Sequence, residues 1–207
     1  MKTNLGINIS LTNSKLGDKI PSLNLPPLVT CRADAPCRKE CYALRGHWLY
    51  TNVKESLKNN LNLYLKNKNK FFDDIIELLN NSDIIFRFFR WFSAGDIVDE
   101  KFFEGIVKVA KKCKSTNFLC FTKKFDIVNN YLASGKKLPK NLNVVFSGWD
   151  KNFKIDNPYN LPCTYVYFKD TTKNDIPEYS IPCVGSCEKC KSCWTLQKFQ
   201  SVFFHKH

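Results

Sequence analysis

The chain has 207 residues, 10 of them cysteine, with 43% hydrophobic and 25% charged residues and a net charge of +13. That length and balance describe one globular domain with at most a small appendage. They allow a core that needs no disulfides and exclude a disordered or fibrous chain. No run of about 18 apolar residues occurs, so no membrane span or membrane partner is expected. Met1 to Asn8 carries no apolar leader core, which places the chain in a reducing cytoplasm, where clustered cysteines speak for metal rather than disulfides. The positive charge comes from 27 Lys and only 5 Arg, beside 21 Asn. Specific phosphate and base readers lean on Arg, so the charge admits a nucleic acid partner without demanding one.

In chain order, the first 30 residues read as polar and loop-like, with Pro21, Pro26 and Pro27 as breakers and room for one short strand within 20–29. The segment from Thr30 to Leu49 follows and holds Cys31, Cys37 and Cys41 in a C-x5-C-x3-C spacing. Three thiolates in one loop make a three-point cradle. A zinc ion would need a fourth ligand, for which His47 is a candidate. A four-iron–four-sulfur cluster held by three thiolates leaves one iron open to a small molecule.

Val53, Leu57, Leu61 and Tyr64 recur at helical spacing, and Phe71, Phe72, Ile75, Ile76 and Leu79 give a second helix that ends at Asn80-Asn81-Ser82-Asp83. Ile84–Phe92 is apolar on both faces, as a buried parallel strand would be. Arg87 and Arg90 within it point to opposite faces, so one enters the interior and needs an anionic partner. Ser93-Ala94-Gly95-Asp96 is a turn, and a helix runs from about Asp99, its cap, to Lys112. Strand 118–122, helix 125–132, a turn at 135–139 and strands 142–146 and 164–168 complete the alternation. This is an α/β pattern with parallel strands, whose working residues belong at the strand C-termini. Asp96, Lys123 and Ser147 stand at such ends. Cys113, Cys120 and Cys163 read as core packing.

The last constellation is Cys183, Cys187, Cys190 and Cys193, spaced C-x3-C-x2-C-x2-C. Four cysteines in eleven residues signal metal. The fused hooks suit an iron–sulfur cluster better than zinc, which stays open. Lys189, Lys191, Lys198 and Lys206 surround this set. They support the alternative of a non-catalytic nucleic-acid-binding protein that uses metal only to fold.

Several motifs in order carry a family resemblance: Asn24-Leu25-Pro26-Pro27, then Cys41-Tyr42-Ala43, then Arg90 to Asp96, then Thr122-Lys123, then Cys193-Trp194. Cys-Tyr-Ala resembles radical S-adenosylmethionine (radical SAM) proteins of the spore photoproduct lyase type, which space their cysteines C-x3-C-x2-C. From Leu23 to Leu196 the chain is similar to small phage-encoded proteins, the gene product 88 family, related to that superfamily.

The resemblance implies a partial (β/α) barrel over residues 1–170 and a C-terminal cysteine-rich metal-binding segment over 171–207. Cys31, Cys37 and Cys41 would hold a cluster whose free iron binds SAM, and the last four cysteines an auxiliary cluster. Gly95 and Asp96 match the place near SAM's amino group where the superfamily often has Gly-Gly-Glu; Tyr42, Ser93, Lys123 and Ser147 are further candidate contacts. The implied activity is cleavage of SAM to methionine and a 5′-deoxyadenosyl radical, with an electron donor and a substrate that the sequence does not name. A relative that keeps the cluster but has lost SAM cleavage is the third reading.

Overall fold

The computed structural model describes residues 5–81, 86–150, 152–168 and 175–205. Its framework is a mixed α/β arrangement on an eight-stranded, mostly parallel sheet. The strands are β1 (Ile9–Ser10), β2 (Ser22–Leu23), β3 (Phe88–Trp91), β4 (Asn117–Thr122), β5 (Leu142–Ser147), β6 (Cys163–Tyr167), β7 (Ile181–Pro182) and β8 (Ser201–His205). The order across the sheet is β1-β2-β3-β4-β5-β6-β8-β7, and only the edge strand β1 runs antiparallel to its neighbour. The helices are α1 (Thr51–Lys66), α2 (Lys68–Asn81), α3 (Glu100–Lys112), α4 (Phe125–Ala133) and the single turn α5 (Cys187–Cys190).

Alternation along the strands divides two layers. Phe89 and Trp91 of β3, Phe118 and Cys120 of β4, and Val144 and Phe146 of β5 face one side and pack with Phe72, Phe102 and Ile106 from α2 and α3. Burying that many aromatic rings is the main driving force for this layer. Gly105 gives the Phe72 ring of α2 room against α3, because a Cβ there would lie 2.1 Å from that ring. The α3 helix begins as the sequence predicts: Asp99 caps it by accepting the Phe102 N–H at 2.8 Å.

The other sheet face has no long helix among the described residues. Leu119 and Val145 are instead covered by Leu16 and Ile20 from the N-terminal segment and by Trp194 and Leu196 from the cysteine-rich segment. The Trp194 indole N–H donates to the Phe89 carbonyl at 3.2 Å. Residues after 175 also supply β7 and β8 to the same sheet.

Between residues 5 and 30 the backbone is mostly irregular and β2 falls within 20–29, as expected, but the segment is not polar throughout: Ile7, Ile9, Leu16, Ile20, Leu23 and Leu25 are all buried. Asn60 of α1 makes this possible by accepting the Asn8 N–H and donating to the carbonyls of Asn8 and Asn24. The strand expected over 84–92 is shorter, Phe88–Trp91. Ile84 and Ile85, like Ser82 and Asp83 of the preceding helix end, lie outside the described residues. Phe92 leaves the strand at φ 61 while its N–H still reaches the Leu23 carbonyl. Finally, β1, β7 and β8 escape sequence reading because two-residue strands carry no periodicity and the last lies beyond the cysteine loop.

Candidate functional site

The three cysteines of the first set sit in a run of short 3-10 turns, Pro36–Glu40, Tyr42–Leu44 and Gly46–Leu49. Trp48 and Ala43 pin this run against Leu57 of α1 and Ala94, with Cys41 packed beside them. Arg38 ties it to the segment before Cys31 by donating to the Leu28 carbonyl at 2.8 Å. The Tyr42 hydroxyl donates to the Ser93 carbonyl, so the loop closes onto the turn that follows β3. Tyr42 itself is 57% exposed, and its ring meets Trp48 edge-on with centres 6.3 Å apart.

That turn is held by Asn24, from the Asn-Leu-Pro-Pro motif, and by Thr30, for which the sequence suggests no role. Asn24 Oδ1 accepts the N–H groups of Ser93 and Ala94 at 2.6 and 3.1 Å. Thr30 Oγ1 accepts the Asp96 N–H at 3.0 Å and donates to the Pro26 carbonyl. Gly95 has φ +82, and a Cβ there would stand 2.7 Å from the Leu25 carbonyl and 2.8 Å from Thr30 Oγ1. Only glycine meets both the conformation and the space.

Asp96 is buried, and its carboxylate is engaged by the protein: Oδ1 accepts from the Ile97 N–H and the Thr122 hydroxyl, and Oδ2 from the Lys123 N–H. Burial pushes its carboxyl up, against these hydrogen bonds. Its evident work is to lock the turn after β3 to the end of β4. The Lys123 side chain turns to Ser147 at the end of β5, with Nζ 2.7 Å from Oγ. Burial pulls this ammonium down, while Cys37, Asp96, Cys31 and Cys41 push it up. Cys31 is pushed up to about 11, first by burial, then by the Asp96 carboxylate and by Cys37 and Cys41. Burial also raises Cys41, with Arg38 and Lys123 opposing. The three thiols, Asp96 and Lys123 therefore form one electrostatic neighbourhood. The Ser93 hydroxyl is buried and has no hydrogen-bond partner among the described residues. His47, the candidate fourth ligand, tilts against Trp48 with ring centres 4.8 Å apart.

The second set lines one pocket: Cys183, Cys187, Cys190 and Cys193, with Ile181, Val184 and Trp194. Its backbone is fastened at several points. The Cys183 N–H donates to the Phe203 carbonyl, and the Cys187 N–H to that of Lys15. Asn143 of β5 donates to the carbonyls of Cys193 and Leu196 at 2.8 and 3.1 Å. Cys193 is pushed up to about 12 by burial first and then by Cys187 and Cys183, with Arg90 opposing. Among the described residues, no three Cys, His, Asp or Glu side chains converge as a single metal ion would require. Cys113, Cys120 and Cys163 are buried.

The chain matches the gene product 88 family over residues 2–196. It belongs to that family. The match takes in every motif from Asn24 to Trp194 on which the resemblance rests. No curated protein and no solved structure matches it. For this member of a phage gene product family, no helix among the described residues is long and apolar enough to cross a membrane. Lys206, named among the cations near the last cysteines, lies outside the described residues.

Proposed function

We propose that this gene product 88 protein is an iron–sulfur enzyme of the radical SAM type, built on a partial (β/α) barrel. Cys31, Cys37 and Cys41 would hold the SAM-binding four-iron–four-sulfur cluster. Cys183, Cys187, Cys190 and Cys193 would hold an auxiliary cluster or a zinc. The observation that carries the reading is that Tyr42 ties the three-cysteine loop to the turn after β3, where Asp96 accepts the N–H of Lys123 from the end of β4. That edge of a parallel sheet is where α/β enzymes bind their ligands.

The donor chemistry fits. A single zinc draws its sulfurs to about 2.3 Å from one point. Cluster thiolates each bind a different iron and need not share a point, and both cysteine sets offer the all-sulfur donors a cluster would use. Such a cluster with one iron free of thiolate supplies reductive cleavage of SAM to methionine and a 5′-deoxyadenosyl radical.

The chain's own residues then orient and enclose. Lys123, steadied by Ser147, offers an ammonium to an anionic group such as the SAM carboxylate. The buried Ser93 hydroxyl offers a hydrogen bond that no described residue uses. Asp96 and Gly95 hold the turn that carries Ser93, and Tyr42 ties the cysteine loop to it. The nucleic-acid reading gains no comparable support. Lys191 and Lys15, beside the second set, lie over the rings of Phe88 and Phe204 rather than standing free.

Anaerobic reconstitution with iron and sulfide tests the proposal. The expected result is a brown protein that forms 5′-deoxyadenosine from SAM under reduction, an activity that Cys41→Ala abolishes. A loaded cluster without SAM cleavage would leave a metalloprotein and remove the enzyme.

A further inference from the structure

We infer that the sheet face turned away from α2 and α3 carries a subsite for a terminal phosphate of the substrate, built from Lys123, Ser147 and Thr164, with Arg90 as a second cation. This rests on the enzyme reading above and names its substrate class. Strand register fixes the row. Thr122 pairs with Phe146, which sets Lys123 level with Ser147, and Ser147 pairs with Thr164. Phe146 and Cys163 pack on the helix side, so Ser147 and Thr164 point to the other side, where Val202, the partner of Thr164 in β8, also packs. Lys123 Nζ lies 2.7 Å from Ser147 Oγ and so stands on that side too. Three polar side chains thus share one level and one face on adjacent parallel strands.

Arg90 reaches toward that level from β3. Its backbone is in register with Leu119, yet its guanidinium lies 4.9 Å from the centre of the Phe121 ring, two residues further along β4 and two short of Lys123. Its Nε donates to the Phe92 carbonyl at 3.2 Å, in the same direction along the sheet. Of the two strand arginines, Arg87 is exposed and Arg90 half-buried.

These groups are short of partners. Among the described residues, no carboxylate forms a salt bridge with Arg90 or Lys123. Asp96 takes the backbone N–H of Lys123, while the half-buried ammonium meets a hydroxyl. Thr164 is 1% exposed, and its Oγ1 has no hydrogen-bond partner among the described residues. Desolvated cations and an unpaired buried hydroxyl are costly until an anion meets them.

The grouping suits a phosphate. A phosphate monoester carries about two negative charges at neutral pH and three strong acceptor oxygens, enough for an ammonium, a guanidinium and hydroxyls together. From Lys123 the row runs across β5 to β6, away from the turn after β3 to which Tyr42 ties the cysteine loop. It therefore serves a molecule beside SAM. The burial of Thr164 favours an end group over a phosphodiester backbone, which runs along a surface.

Calorimetric titration of the full chain with inorganic phosphate in chloride buffer, before and after loading with iron and sulfide, tests this. A single saturable phosphate per chain is expected in both forms. Lys123→Gln, Arg90→Gln and Thr164→Val should each weaken it at least about tenfold, as loss of one hydrogen bond to a charged group does. Thr164→Ser should keep it, as should Lys136→Gln, whose lysine pairs with Glu104 elsewhere on the molecule. Thr164→Val should unfold at no less urea than wild type, since it removes an unpaired buried hydroxyl, so its weaker binding is not lost folding. Absence of binding, or binding indifferent to all three variants, would overturn the subsite. Acetate, or an oligonucleotide without a terminal phosphate, binding as tightly would overturn the substrate class. Displacement of the phosphate by SAM in loaded protein would assign the row to SAM and overturn the inference. A chain that binds phosphate here but does not cleave SAM when loaded would keep the subsite and remove the enzyme reading.

Discussion

Gly95→Ala is the perturbation that most sharply tests how the candidate site is built. Two separate costs are visible. The residue sits at φ +82, where a Cβ costs roughly 1–2 kcal/mol. The new methyl would also stand 2.7 Å from the Leu25 carbonyl and 2.8 Å from Leu25 Cβ and Thr30 Oγ1. Two of these three are backbone or backbone-bound atoms that cannot swing aside, and overpacking of this kind costs about 1–3 kcal/mol. The sum is roughly 2–5 kcal/mol. Gly135→Ala is the internal control. It has φ +79 but no atom within 4 Å of its Cβ, so only the conformational part applies.

Urea denaturation of the two variants beside wild type, at equal metal content, measures the difference. Gly95→Ala should be the less stable by at least about 1 kcal/mol. It should also load less iron at the first cysteine set, because Thr30 and Leu25 lead into Cys31. A Gly95→Ala protein no less stable than Gly135→Ala would refute the close seating of the turn.

Three further outcomes follow from the geometry. Gly105→Ala should destabilise by about 1–3 kcal/mol in the same assay, and the loss should shrink in a Phe72→Leu background where the opposing ring is gone. Asn143→Ala removes both hydrogen bonds to the carbonyls of Cys193 and Leu196 and should cost about 1–3 kcal/mol. Limited proteolysis should then cut first in the four-cysteine segment. Asp99→Ala should cost about 1 kcal/mol near neutral pH through loss of the α3 cap. Burial works to raise the Asp99 carboxyl, but hydrogen bonds from Lys68, Tyr64 and the Phe102 N–H hold it below 3.8. Its contribution is therefore present above pH 3.8 and is lost as pH falls through the lower folded value. The wild-type advantage over Asp99→Ala should fade in that acid range.

Much of the framework is legible in the sequence because it rests on local signals. The alternation of strands and helices from Thr51 to Ser147, the Asp99 cap and the burial of Cys113, Cys120 and Cys163 all follow from periodicity, capping chemistry and residue type. What the sequence hides is long-range polar bonding. The 21 asparagines look like a compositional bias, yet Asn24, Asn60 and Asn143 each satisfy backbone groups far away in the chain. Such bonds have no spacing rule, because the partner is set by the fold. Asp96 was expected to meet a ligand; its position at the strand end is as read, while its hydrogen bonds to Ile97, Thr122 and Lys123 emerge only when β3 and β4 are side by side.

The central claim is that the first cysteine set holds an iron–sulfur cluster. Counting iron, acid-labile sulfide and zinc per chain in anaerobically purified protein tests it most directly. The account predicts iron and sulfide in equal amounts, about four of each for every occupied cluster, with the first set's share lost in a Cys31, Cys37, Cys41→Ser variant. Stoichiometric zinc with neither iron nor sulfide would contradict it.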